Sequence, residues 1–356
     1  MASPLPAPLP TVNYIDLPEI SNQPATPSGL DADTSSNLVF VACQLDPGYV
    51  YVIDANANPP KLQSSTPIAI GPYPHGVAVN STTHFVFVAN TGTSQAGSSS
   101  KQGNNTVSVL GYNSDTSAWE ELFQFEVGSA NCDPHGVAVD AGLNYLFVAN
   151  QKANNVTVFD CSPLPAAPPK PLYTIPVGST ANPHGIGVDS NLHRVFVACR
   201  DANQVAVIDG VAGTVLAMVA VGNQPTGIGI DSQSGVAYAS NNADNTVSLI
   251  GAAPPWSVTT IDGFNGPDRF AVDEPRGVVY AGNNPATPPT PAPASTVSAI
   301  LTKQNNQLDD IGVPGSAANG VSAPTEMAYL PGPQCVYVAL QNSNQVAYFP
   351  PIAPNS

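Results

Sequence analysis

The chain repeats itself seven times, and that periodicity limits its fold more than any other feature. A proline-led frame recurs at Pro27, Pro74, Pro134, Pro183, Pro225, Pro267 and Pro324, at intervals of roughly 42 to 60 residues. Each proline opens an alternating apolar stretch, and a second follows, as in Phe87-Val88-Ala89-Asn90, Phe147-Val148-Ala149-Asn150 and Tyr238-Ala239-Ser240-Asn241. A third comes next, as in Thr106-Val107-Ser108-Val109-Leu110, then a shorter fourth, as in Thr174-Ile175-Pro176-Val177. Period-two alternation rich in Val, Ile, Phe and Tyr, broken by Gly, Asn and Pro, predicts short antiparallel strands. Four strands per repeat, seven times over, predict an all-β, seven-bladed β-propeller of four-stranded antiparallel blades.

The two ends of the chain complete the ring. The last repeat has no fourth strand after Val346-Ala347-Tyr348-Phe349, whereas an orphan strand, Val12 to Leu17, precedes the first. Joining the two removes two open sheet edges that would invite aggregation. The expected layout is an extended Pro/Ala-rich arm at 1–10, one propeller at 11–350 and a tail at 351–356. No apolar run is long enough for a membrane-spanning helix, and no signal peptide is visible.

Composition narrows the partners. The formal net charge is −16, with only nine Lys and Arg against 25 Asp and Glu. A nucleic-acid binder needs a basic stripe to displace phosphate counterions, and an anionic membrane selects for the same residues. Neither partner is expected. An acidic, Lys-poor chain rich in Asn, Thr, Ser and Pro points to export, secreted or periplasmic. Three sequons, at Asn80, Asn104 and Asn155, are no more than an Asn-rich chain produces by chance. Of five cysteines, Cys43 and Cys199 occupy the same repeat position three blades apart, too far for a disulfide. Reduced, buried thiols are expected, and so is a monomer.

One position of the repeat carries chemistry. Pro74-His75-Gly76, Pro134-His135-Gly136 and Pro183-His184-Gly185 are three copies of one turn, and they hold three of the five histidines. Blade five repeats the frame as Pro225-Thr226-Gly227, so the scaffold does not require histidine there. In a closed ring these segments meet at the axis. The same face takes the longest insertions, Thr91 to Asn105, Asn284 to Ser295 and Pro314 to Ala323. Three neutral imidazoles suit a divalent ion at about 2.0–2.1 Å and leave positions open for substrate. Zinc is the first expectation, with copper, iron, manganese or magnesium as alternatives. His84 and His193 fall on the opposite face and are expected to be inert.

Two departures from the repeat add charge to the same level. The glycine after the histidine position becomes Arg269 in blade six and Glu326 in blade seven. Arg269 is a candidate to hold a substrate carboxylate, and Glu326 a candidate general base. The competing expectation is a structural salt bridge between them or with Asp268. Arg200, Lys152 and Asp46 are peripheral candidates in short loops of this face. The recurring Asn90, Asn150, Asn241 and Asn283 are expected to cap turns through side-chain-to-backbone hydrogen bonds.

From Gly136-Val137-Ala138-Val139-Asp140 to Phe147-Val148-Ala149-Asn150, and at Asn245-Thr246-Val247-Ser248-Leu249-Ile250, the chain resembles the YVTN-repeat family of seven-bladed propellers. The resemblance covers roughly residues 11 to 350. It implies the fold firmly and the function loosely, because that family includes lactonases, muconate-cyclising enzymes, surface-layer proteins and exported binders. The Pro-His-Gly turns are similar to those of the virginiamycin B lyase family, which implies a divalent metal and ring-opening by elimination. That likeness reaches only His75, His135 and His184. The resulting expectation is a metal-dependent lyase or lactone-hydrolysing or cyclising enzyme acting on a small organic molecule. A non-catalytic binding propeller competes with it, and a redox copper or iron site near Cys43 or Cys199 is a third reading.

Overall fold

The structure is a computed structural model that describes residues 9–92, 105–128, 132–284, 295–302, 306–307, 310–315 and 322–352. Its strands form seven antiparallel sheets, numbered here as blades one to seven. The innermost strands are Pro27–Asp33, Pro74–Asn80, Pro134–Asp140, Pro183–Asp189, Pro225–Asp231, Pro267–Asp273 and Pro324–Leu330. Each touches the next, and the seventh touches the first, so the ring is closed. The closing strand is Asn13–Asp16, which runs antiparallel to Gln345–Phe349 in blade seven with Asn13 opposite Tyr348. In blades one and six the outer strand is split, Lys61–Leu62 with Ile68–Ile70 and Asn306–Gln307 with Ile311–Gly312.

The second strand of each blade explains why the repeats pack. Phe40, Phe87, Phe147, Phe196, Tyr238, Tyr280 and Tyr337 stand at one repeat position and are at most 1% exposed. Each large ring fills the gap between neighbouring blades, and each such burial is worth about 1.5–3 kcal/mol. At the end of the second strand the recurring asparagines are buried, so their amides must find partners inside. Asn90 donates to Thr106 and Ser108, Asn241 to Thr246 and Ser248, and Asn283 to Thr296 and Ser298, at 2.8–3.0 Å. They tie second strand to third through side chains; Asn283 also accepts from the Asn265 backbone at 3.4 Å, while the Oδ1 atoms of Asn90, Asn150 and Asn241 are buried without a partner.

A second set of polar clips joins blades on the face opposite the three-histidine turns. The turn after each innermost strand ends in a residue of positive φ, among them His84 (65°), Asn144 (55°) and His193 (49°). His84 Nδ1 meets Asp33 of blade one at 2.7 Å, and His193 Nδ1 meets Asp140 of blade three at 2.8 Å. Asn80 donates to Asn144 at 2.9 Å in the interface between those two. His84 and His193 are therefore inter-blade fasteners rather than inert surface residues. The five cysteines are all free and buried, as their repeat positions predicted. Burial pushes the Cys199 thiol up to about 11 and Cys43 higher still, so neither offers a thiolate to the mouth.

Candidate functional site at the axial mouth

Every innermost strand carries a register shift just after its proline. In blade three, Pro134 faces Asn150 and Val137 faces Val148, so His135 and Gly136 sit in a bulge, and blades two, four, five, six and seven repeat the pattern. A bulge re-aims side chains that strict alternation would send elsewhere. Here it brings His75, His135 and His184 together. The ring centroids of His75 and His135 are 3.6 Å apart, and those of His135 and His184 are 3.9 Å apart, tilted by 38° and 40°. The outer two are 6.3 Å apart.

Three other occupants of this ring position are satisfied locally: Ser28 donates to the Pro74 carbonyl at 3.0 Å, Thr226 pairs with Ser240 at 3.0 Å, and Thr325 donates to Ala339 at 3.3 Å. Asp268, the occupant in blade six, has a buried Oδ1 without a hydrogen-bond partner. The Nδ1 atoms of His75 and His135 are buried and have no partner. Burial, reinforced by the nearby Arg269 guanidinium, pushes His75 down to about 3. Burial also drives His135 and His184 well below the ordinary histidine range, with neighbouring imidazoles, Arg269 and Arg200 adding to it. The three rings are neutral at physiological pH.

Arg269 is the centre of the charged layer beneath them. The glycine that five blades hold at its position lets its side chain cross the axis: a Cβ on Gly185 would come within 2.7 Å of Arg269 Nη1. Nε donates to Glu326 at 3.0 Å, and Nη1 to the Thr226 carbonyl at 3.1 Å. Nη2 lies 3.2 Å from His184 Nδ1. A guanidinium keeps its protons, so toward Arg269 the imidazole accepts at Nδ1, with its own proton on Nε2, whereas toward a carbonyl the same nitrogen would have to donate. The Thr226 carbonyl is also 3.2 Å from the same ring nitrogen. Asp268 is 3.7 Å from Arg269, beyond hydrogen-bond reach. The salt bridge expected as the alternative to a substrate-holding role is therefore present, and it joins the two candidates themselves. Burial raises Glu326 to about 7 although Arg269 opposes the shift.

Two residues of this layer were not singled out as central by their sequence. Asp31 stands where the other blades have Ala78, Ala138, Gly187, Gly229, Ala271 and Ala328. Its carboxylate accepts from Ala32 and Val79 backbone at 2.8 Å each, and burial still raises it to about 6. With Arg269 and Glu326 it lines an axial cavity of about 240 Å³. The signal was legible, an acid in a column of small residues. The second residue is Arg200, placed at the rim by a single 3₁₀ turn, Arg200–Ala202. Its Nε is buried with no hydrogen-bond partner. Lys152 is taken by Asp133 at 2.9 Å, and no contact joins Asp46 to the layer among the described residues. Of the insertions on this face, 93–104, 285–294 and 316–321 lie outside the described residues.

The donor chemistry for a divalent ion is present in His75 and His135. The arrangement differs from a ligand set: imidazoles that share an ion fan around it, whereas these rings lie against one another at 3.6 and 3.9 Å, tilted by 38° and 40°, and His184 faces a guanidinium. Among the described residues, no three His, Cys, Asp or Glu side chains are grouped to hold an ion.

The architecture and its polar axis define a seven-bladed β-propeller with one candidate site at the mouth of the ring. The chain belongs to the Choice-of-anchor I domain family, whose profile matches residues 20–280. No curated protein matches it significantly. Among solved structures it is similar to virginiamycin B lyase from Staphylococcus aureus, at 10% identity over 96% of this chain and 100% of that one, with a TM-score of 0.69. Kuenenia stuttgartiensis hydrazine synthase is similar at 15% identity, over 96% and 100% of the two chains, with a TM-score of 0.72. The WD40 repeats of RRP9 are similar at 11% identity, over 96% and 98%, with a TM-score of 0.69. At such identities the likeness establishes the fold alone.

Proposed function

We propose that the axial mouth takes a small organic anion and acts on it by proton transfer, as a lyase or lactone-opening enzyme. One observation carries the reading. In a chain of net charge −16, two arginines flank a layer of neutral imidazoles, and Arg200 has a buried Nε without an acceptor. A ligand carboxylate or enolate supplies that acceptor and competes with Glu326 for Arg269. Glu326, raised to about 7, is close to the working pH that suits a general base.

In an elimination, Glu326 takes the proton from the carbon next to a carbonyl. A carbon–carbon double bond forms, and the neighbouring carbon–oxygen ester bond breaks with its electron pair leaving on the carboxylate. His184, with its proton on Nε2, is a donor to the developing oxyanion. The YVTN and lactonase likeness of the repeats supports the reaction class, and the matching lyase has the same fold. Family membership together with the acidic surface supports an extracellular or cell-surface setting.

The test is a panel of small lactones, cyclic esters and hydroxy acids followed by mass spectrometry. Elimination leaves the mass unchanged and adds a double bond; hydrolysis adds one water. Turnover lost in Glu326→Gln and Arg200→Gln supports the reading. Binding without turnover replaces it with a non-catalytic binding propeller, and neither binding nor turnover overturns it.

A second reading rests on the unpartnered Nδ1 atoms. Here His75, His135 and His184 hold a divalent ion, zinc before copper, iron, manganese or magnesium, which would polarise a carbonyl or activate water. His184 would then direct Nδ1–H at the Thr226 carbonyl, leaving Nε2 free. Elemental mass spectrometry separates the readings: near-stoichiometric metal that disappears in His135→Ala selects the second.

A further inference from the structure

A larger cavity lies at the other end of the blades, and the clip pattern explains it. At three interfaces on that face the positive-φ turn residue supplies a side chain to the preceding blade, through His84, Asn144 and His193. Between blades five and six the same position is Gly277, with φ of 65°. That position offers no side chain to cross; Glu274 of the same turn reaches the Ser232 backbone of blade five at 2.8 Å instead, and a groove of about 460 Å³ lies alongside, lined by Asp231, Glu274 and Gly277. That volume is within the usual range of small-molecule sites, roughly 300–1,000 Å³.

The lining selects the ligand. Tyr238 is 1% exposed and lines the groove, and its hydroxyl has no hydrogen-bond partner among the described residues. Ser257, Thr259 and Thr302 add three more hydroxyls, and Val236, Leu249 and Pro275 give apolar edges. The charged groups are already engaged. Arg276 donates to Asp273 at 3.1 Å, Tyr329 at 2.8 Å and Gln334 at 2.7 Å, so it is not held out for an anion. Asp231 accepts from Gln233 and Ser234 within its own turn, and Glu274 from the Ser232 backbone. Each carboxylate already accepts a hydrogen bond, Glu274 at Oε1 alone. Between these charged groups stands a wall of neutral hydroxyls beside apolar carbon, which matches the hydroxyl rim and C–H face of a pyranose.

We infer that the groove between blades five and six is a binding site for a neutral polyhydroxylated ligand the size of one or two sugar units. It is separate from the axial mouth and does not depend on the reading given to the histidines.

The experiment is saturation-transfer NMR and calorimetry of the full chain with glucose, galactose, mannose and N-acetylglucosamine, with ethanolamine as a cationic probe. Gly277→His is the blocking variant. His84 and His193 adopt the same turn conformation, and the added Cβ would approach only the Thr302 hydroxyl, at 2.8 Å. Tyr238→Phe removes the unpartnered hydroxyl and keeps the ring. The expected result is millimolar binding of at least one sugar, weakened at least tenfold in both variants, with melting temperature preserved in Gly277→His. No sugar binding, binding that survives both variants, or preference for ethanolamine overturns the inference.

Discussion

The five histidines divide into two sets that the same fold treats in opposite ways. At the base of the ring, His84 and His193 each face a fully buried aspartate in the preceding blade. At the mouth, His75, His135 and His184 face one another and an arginine, and two of them have a buried nitrogen with no partner. The first arrangement lowers the free energy of the folded chain. The second raises it, because an unmade hydrogen bond on a buried group costs about 1–3 kcal/mol. The cost falls on His75 and His135, at a position where Thr226 of blade five satisfies itself; it marks the mouth as the candidate site, although Asn90, Asn150 and Asn241 also hold a buried oxygen without a partner.

Acid should produce the largest effect that separates the two sets. An unfolded histidine takes a proton near pH 6.5, whereas native His75 waits until about 3. Between those values the unfolded state binds more protons, so the stability contribution is present above 6.5 and is lost as pH falls. The loss is about 1–2 kcal/mol per ring by pH 5. Glu326 and Asp31, raised to about 7 and about 6, act the other way: their contribution is fully present below the unfolded values near 4.5 and 3.8 and is lost as pH rises. Urea unfolding should therefore show wild type weakening from pH 7 to 5. In a His75→Gln, His135→Gln, His184→Gln variant the sign should reverse, and an unchanged slope would mean that the rings are not neutral.

Arg269→Leu should be the next largest, because it leaves Glu326 buried beside Asp31 without its cation. Loss of one member of a buried pair costs about 3–5 kcal/mol, readable as a shift in the denaturation midpoint. Glu326→Gln, which keeps an acceptor for Arg269, should cost less.

At the base, His193→Ala should cost about 1–3 kcal/mol by stranding the buried Asp140. The pH signature there lies elsewhere. Hydrogen bonds from Ser35, His84 and Ser36 outweigh burial and lower Asp33 to about 2, so its contribution is present above the unfolded value near 3.8 and is lost as pH falls towards 2. Asp33→Asn should flatten the stability curve below pH 4 and leave the slope between 7 and 5 unaltered.

The fold was legible because the repeat carries it redundantly. Seven aromatic residues at one position, from Phe40 to Tyr337, announce the packing between blades without any long-range information. The histidine turns were legible for the same reason, as departures from a frame that blade five shows intact. What they do there was not. The bulge after each proline decides where the rings point, and strict strand alternation does not encode it. Whether Arg269 would meet Glu326, Asp268 or a ligand depended on a cross-axis reach that only the glycine column permits. The recurrent asparagines were misread because their burial, invisible in sequence, turns a surface cap into an internal tie.

The most direct test of the account is the thermal stability of His135→Phe. The change keeps a ring between His75 and His184 and removes the buried nitrogen that has no partner. If the mouth is a site held at a cost, the variant should melt at or above the wild-type temperature while losing whatever the mouth binds. A drop of more than about 5 °C, comparable to the loss of about 3–4 kcal/mol in a domain of this size, would show that the imidazole supports the fold and would contradict the account.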